Sequence, residues 1–245
     1  MRIDRKITGL SVLAFLMVLF LFIFYNEVYG NNEFPITINE DIQMDPAIYD
    51  SIIVWTDGRN GFCGNPKDNC DIYGYDLSTN QEFQITKNEG WQNYPAIYEN
   101  IVVWSDRRNE NWDIYGYDLF TKQEFRITTN LFIQNEPAIY GNTVIWRDLR
   151  DSRNGWIISG IYGYDLFTKQ EFHLLTYGRR HLWNFAIYKD IVVWDDYRNG
   201  NYDIYGYKLS IFHSIKSPFF LSFFVFLTIV IIEIAAMLIW KRRKG

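Results

Sequence analysis

Few residues in this chain are able to do chemistry, and their spacing narrows what that chemistry is. Cys63 and Cys70 are the only cysteines among 245 residues. No His or Cys stands close enough to complete a metal site with them, so they read as a local disulfide. Such a bond closes an eight-residue loop and restricts the unfolded chain by roughly 2.5 kcal/mol. Oxygen-bearing side chains recur at Asp106, Asn109, Asn111 and Asp113, and again at Asp196, Asn199, Asn201 and Asp203, a weak pattern for Ca²⁺. Each run also holds an arginine, Arg108 or Arg198, and lacks a Gly-pinned twelve-residue loop, so a hairpin turn with an Asp–Arg pair is the competing reading. The histidines His173, His181 and His213 have no metal spacing, and neither GxSxG nor HExxH occurs. No catalytic residue, metal or cofactor is assigned.

The elements that must position these residues form a repeat. The stretch from Pro95 to Thr128 reads as four short strands: PAIY, IVVW, DIYGYDL and EFRIT, separated by turn-forming Asn, Asp, Lys and Arg. PAIY recurs at Pro46, Pro95 and Pro137, with a degenerate copy at Phe185; IVVW recurs at Ile52, Ile101, Thr143 and Ile191; IYGY begins at Ile72, Ile114, Ile161 and Ile204. The closing strand follows only three of the four, at Glu82, Glu124 and Glu171. A fourth copy, Glu33-Phe34-Pro35-Ile36-Thr37, precedes the array, with Phe34 twelve residues before Pro46 as Phe83 is before Pro95. This permutation predicts an all-β propeller of four four-stranded blades, in which the N-terminal strand pairs with the last blade and shuts the ring. Gly74, Gly116, Gly163 and Gly206 lie inside the IYGY strands, where a close neighbour is expected; an indole from an adjacent blade or strand is the simplest candidate.

Two B–C loops, between the second and third strands of a blade, are long. One in blade one carries Asn60, Phe62 and the cysteines; one in blade three carries Arg150, Arg153 and Trp156. Loops on a rigid scaffold are where binding concentrates, so these residues are candidate contacts.

Apolar runs flank the repeat. Ile7 to Tyr25 follows Arg2, Arg5 and Lys6 and precedes Val28-Tyr29-Gly30, which reads as a signal peptide cut near Gly30 or as an uncleaved anchor. Phe219 to Trp240 is long enough to span a bilayer, and Lys241 to Lys244 after it put the C-terminus in the cytoplasm. The organisation is thus 1–30 signal or anchor, 31–210 ectodomain, 211–217 tether, 218–240 transmembrane helix and 241–245 basic tail. Glu233 within the span either pairs with a partner helix or reaches the interface. Residues 28–218 hold 17 Lys and Arg against 26 Asp and Glu, a balance of about −9 that disfavours nucleic acid as partner.

The repeated run PAIY…IVVWxDxRNxNxDIYGYDLxTxxEFxIT resembles the TolB-type (WD40-like) propeller repeat, and more closely the propeller repeats of methanogen cell-surface proteins. It covers nearly all of Glu33 to Leu209 but replaces the SPDG turn of the TolB form, as at Tyr98 and Asn100. The resemblance implies an interaction scaffold; with the flanking apolar runs and no reactive constellation, the chain reads as a non-enzymatic interaction or adhesion scaffold anchored in the cell membrane, with surface or envelope proteins as partners. A carbohydrate-binding or carbohydrate-active module, stacking sugars on Trp91, Trp112, Trp156 or Trp183, is the alternative.

Overall fold

A computed structural model describes residues 15–20, 33–61, 63, 69–177 and 184–209. The chain divides into two units, Met1–Ile38 and Asn39–Gly245. In the first, residues 15–20 are helical and Glu33–Thr37 forms no strand. Among the described residues no helix is long and apolar enough to cross a membrane. The span Phe219 to Trp240, the tether and most of the N-terminal apolar run lie outside the described residues.

The second unit is a row of antiparallel sheets. Blade one is β1 (Gln43–Tyr49), β2 (Ile52–Asp57), β3 (Asp71–Asp76) and β4 (Gln81–Gln84). Blade two is β5 (Gln92–Tyr98), β6 (Ile101–Asp106), β7 (Asp113–Asp118) and β8 (Gln123–Arg126). Blade three is β9 (Gln134–Tyr140), β10 (Thr143–Asp148), β11 (Ser159–Asp165) and β12 (Gln170–Tyr177). Blade four has three strands, β13 (Phe185–Tyr188), β14 (Ile191–Asp196) and β15 (Asp203–Lys208). Strands pair in sequence order through hairpins, so every contact within a blade is local.

The β-branched second strand is buried on both faces in blades two and three, whose sheets lie between two others, while in blade four alternate residues of it are exposed. Alternation then sorts its residues: Val54 with Ile72 faces forward onto Ile97, Val102 and Trp104 of blade two. Val103 and Ile114 repeat this against Val144 and Trp146, and Ile145 and Ile161 against Val192 and Trp194. On the innermost strands Tyr49, Tyr98, Tyr140 and Tyr188 form a ladder, with ring centroids 4.8, 4.6 and 5.0 Å apart.

Two expectations are corrected. The N-terminal copy of the closing strand does not complete blade four, whose sheet ends at β15, and among the described residues there are three blade-to-blade cores and no fourth. Matching residues fix which edge a segment suits, whereas closure depends on how far the packed indoles rotate each sheet against the next. The interior glycines are also covered differently. A methyl group placed on Gly74 or Gly116 would stand 2.6 Å from Cζ of Phe83 or Phe125, and Phe172 lies in the same way over Gly163. The ring belongs to the neighbouring fourth strand, since Phe83, Phe125 and Phe172 are the direct cross-strand partners of these glycines. Gly116→Ala is accordingly expected to destabilise by about 1–3 kcal/mol in urea unfolding, because the half-buried phenyl ring must move.

Candidate functional site

The Asp and Arg that follow the tryptophan of each blade build a clasp at the end of the second strand. In blade two the buried Asp106 accepts hydrogen bonds from Trp104 Nε1 at 2.9 Å and from Arg108 N and Nε, each at 2.9 Å. Arg108 reaches on to Glu124 of the fourth strand at 2.5 Å and lies 4.2 Å above the Tyr115 ring. Blade one repeats this with Trp55, Asp57, Arg59, Glu82 and Tyr73, and blade three with Trp146, Asp148, Arg150, Glu171 and Tyr162. In blade four Asp196 takes Trp194 and Arg198. The guanidinium thus joins the second strand to the fourth, across the third, which explains its recurrence without any ligand.

The residues weighed for Ca²⁺ are engaged with protein groups, although one oxygen among them, the buried Asp113 Oδ1, has no hydrogen-bond partner. Asn109 donates to Asp113 at 3.1 Å and to the Tyr115 hydroxyl at 2.8 Å; Asp113 also pairs with Arg126 at 2.8 Å. Asn111 donates to the carbonyls of Asn130 and Phe132. Asn199 and Asn201 both donate to Asp203, at 3.0 and 2.8 Å. Among the described residues no three His, Cys, Asp or Glu converge as a metal shell. Cys63 and Cys70 are bonded to each other. Cys63→Ala/Cys70→Ala is expected to lose about 2.5 kcal/mol in urea unfolding, through the freed loop of the unfolded chain.

The long loops emerge at one end of the sheets. Gly58 N donates to Ile42 O, Arg107 N to Trp91 O and Leu149 N to Ile133 O, so each B–C loop is tied to the segment entering its blade. In blade three Asn154 and Gly155 have φ of 54° and 75°, a two-residue turn held by reciprocal bonds between Arg153 and Trp156. That hairpin presents Trp156 and Ile157, which are 51% and 56% exposed. Beside it the connection into blade three carries Leu131, Phe132 and Ile133, also exposed, and Thr129, Asn130, Leu131 and Phe132 line a cleft of about 490 Å³ with Arg150 and Glu171. Of the loop residues singled out from sequence, Arg150 therefore serves the clasp and the cleft wall, while Arg153 and Trp156 flank the hairpin tip. Asn60 turns inward, donating to Asp71 at 2.6 Å, and Phe62 lies outside the described residues.

A second cluster escaped the sequence reading. The inner strands of blades one to three each bulge at the residue before proline, where Asp45, Tyr94 and Glu136 have φ of 54°, 52° and 56°. Positive φ is costly for these types, and neighbouring blades hold it: Tyr94 N–H donates to the Asp45 carboxylate and Glu136 N–H to Ser105 Oγ at 2.9 Å. Burial pushes the carboxyls of Asp45 and Glu136 up, against weaker opposing contributions from Thr56 and Arg147. Asp57 moves the other way: burial raises it, but hydrogen bonds from Arg59 and Trp55 outweigh that and hold it below 3.8. The sequence signal was the acid-Pro or Tyr-Pro dipeptide opening three of the four repeats.

These opposed shifts fix the sign of the pH dependence. A raised carboxyl costs stability at neutral pH and is relieved as pH falls through its folded pKa. A lowered one contributes above 3.8 and loses that contribution as pH falls through its still lower folded pKa. The melting temperature is therefore expected to rise on mild acidification and to fall below about pH 4; Asp45→Asn with Glu136→Gln should reduce only the upper limb, leaving the part that comes from Asp71, whose carboxyl burial also pushes up.

No protein-family model matches the sequence, and no curated protein matches it. Solved structures do. TolB from Acinetobacter baumannii superposes with a TM-score of 0.55 at 21% identity, over 71% of this chain and 43% of that one. The β-propeller domain of the Trilobed protease from Pyrococcus furiosus, which has an open velcro topology, gives 0.52 at 14%, over 70% and 56%. Pyrococcus horikoshii acylaminoacyl peptidase gives 0.52 at 11%, over 68% and 30%. The chain thus spans little more than half of these proteins at most, and at such identities the likeness concerns fold. Four sheets paired in sequence order, with TolB and other propellers as structural neighbours, give this chain a four-bladed β-propeller fold similar to theirs.

Proposed function

We propose that this chain is a membrane-tethered, non-enzymatic scaffold outside the cell, whose loop end docks surface or envelope proteins. The observation that carries this is direction. β15 begins at Asp203, opposite Asp196 at the loop end, and finishes at Lys208, opposite Ile191 at the other end. Only Leu209 to Pro218 then separates it from the apolar run at Phe219, so a bilayer there leaves the loops facing outward. That end presents Leu131, Phe132, Trp156 and Ile157 on a rigid frame, the aromatic and aliphatic character of a contact centre.

A photo-crosslinking residue at Trp156 or Leu131 in cells is expected to capture an envelope protein, and Leu131→Asp to abolish capture. Labelling confined to cytoplasmic proteins, or none, overturns the reading. The exposed indole of Trp156 also favours glycan stacking as a second reading; a glycan array without hits removes it.

A further inference from the structure

The two ends of the row are unfinished in complementary ways. Ile72, Ile114 and Ile161 on the forward faces of blades one to three are fully buried, whereas Ile204, their counterpart in blade four, is 76% exposed. At the other end Ile48 on the rear face of blade one is 61% exposed, against 8% for Ile97 and Ile139. The forward face of blade four therefore matches three faces that each accept a rear face, and blade one offers a rear face that is open at Ile48, though Trp55, the counterpart of Trp104, is already buried there.

The sheet edge is unfinished too. Among the described residues Gly206 meets nothing nearer than Val192 O and Val193 Cγ1, both at 3.7 Å, whereas the other three glycines lie under a fourth-strand phenyl ring. The chain carries a fourth such phenylalanine, Phe34, 66% exposed, at the β4-to-β5 spacing ahead of blade one. Pro35 then falls at the position of Gln84. Ile85 N–H donates inward to Ile72 O, so by alternation the Gln84 N–H points away from β3, and proline loses no ladder bond there.

We infer that blade four takes the rear face of blade one from a second copy of this chain, whose Glu33–Thr37 becomes its fourth strand. The fit needs no new geometry. If blade one of the second copy sits on blade four as blade two sits on blade one, its Phe34 covers Gly206 and its Glu33 stands opposite Tyr207. Closing the same two faces within one chain would require three close-packed interfaces to re-pack together, and such cores resist deformation. Copies related head to tail exchange their N-terminal strands, and the assembly closes at the number of copies whose rotation returns to the first.

Cross-linking of full-length chains in mild detergent tests this. Both natural cysteines are engaged in a disulfide, so Glu33→Cys on one chain and Tyr207→Cys on another supply the reactive thiols. Mixing and oxidising the two single variants is expected to give a covalent heterodimer. Ile204→Asp on the Tyr207→Cys chain should cut its yield at least about tenfold, as a charge placed at a packed face weakens association. No heterodimer, a bond formed only within a chain carrying both substitutions, or a yield indifferent to Ile204→Asp would each overturn the inference.

Discussion

Asp106→Ala is expected to lower unfolding stability by about 3–5 kcal/mol, the scale for removing one partner of a buried ion pair. Asp106 has no solvent exposure and receives Trp104, the Arg108 backbone and two guanidinium nitrogens. Its loss strands a buried indole N–H and most of the Arg108 charge at once. Glu124 retains one end of the guanidinium, so the arginine is not wholly unpaired. Glu124→Ala, by contrast, removes a partly exposed partner and is expected to cost no more than about 1 kcal/mol. Urea unfolding followed by tryptophan fluorescence separates the two, and equal losses would mean that the clasp is held at the surface.

Trp104→Ala is expected to cost a comparable 3–5 kcal/mol, for another reason. The indole is fully buried between blades one and two, so its removal opens a cavity in an interface whose neighbours, Val54 and Ile72, are fixed in strands. The released Asp106 would also lose one of its donors. Because blades meet only their neighbours, the damage should stay local: hydrogen exchange is expected to quicken in blades one and two before blade three. Uniform quickening would show that the row unfolds as one unit.

How much of this was legible in the residues varies by element. Strand identity was, because a β-branched run ending in tryptophan and an Ile-Tyr-Gly-Tyr run recur in the same order in all four repeats, the first with the continuous apolar character that burial on both faces needs. The Asp–Arg turn was legible as a pairing, since Asp106 and Arg108 are two apart, but its reach to Glu124 and Tyr115 was not. The bulge at Asp45, Tyr94 and Glu136 was visible only as a dipeptide, because its strain is held by bonds from the next blade. The cover over Gly116 was assigned to tryptophan, the larger ring, while the register places Phe125 there.

The order of strands, the number of blades and the orphan Glu33–Thr37 copy follow from the sequence alone, because they depend on local periodicity and hairpin length. Whether the row shuts was decided by tertiary packing. That depends on how the buried indoles of Trp104, Trp146 and Trp194 set each sheet against its neighbour, a geometry of side-chain volumes that no spacing of residues encodes.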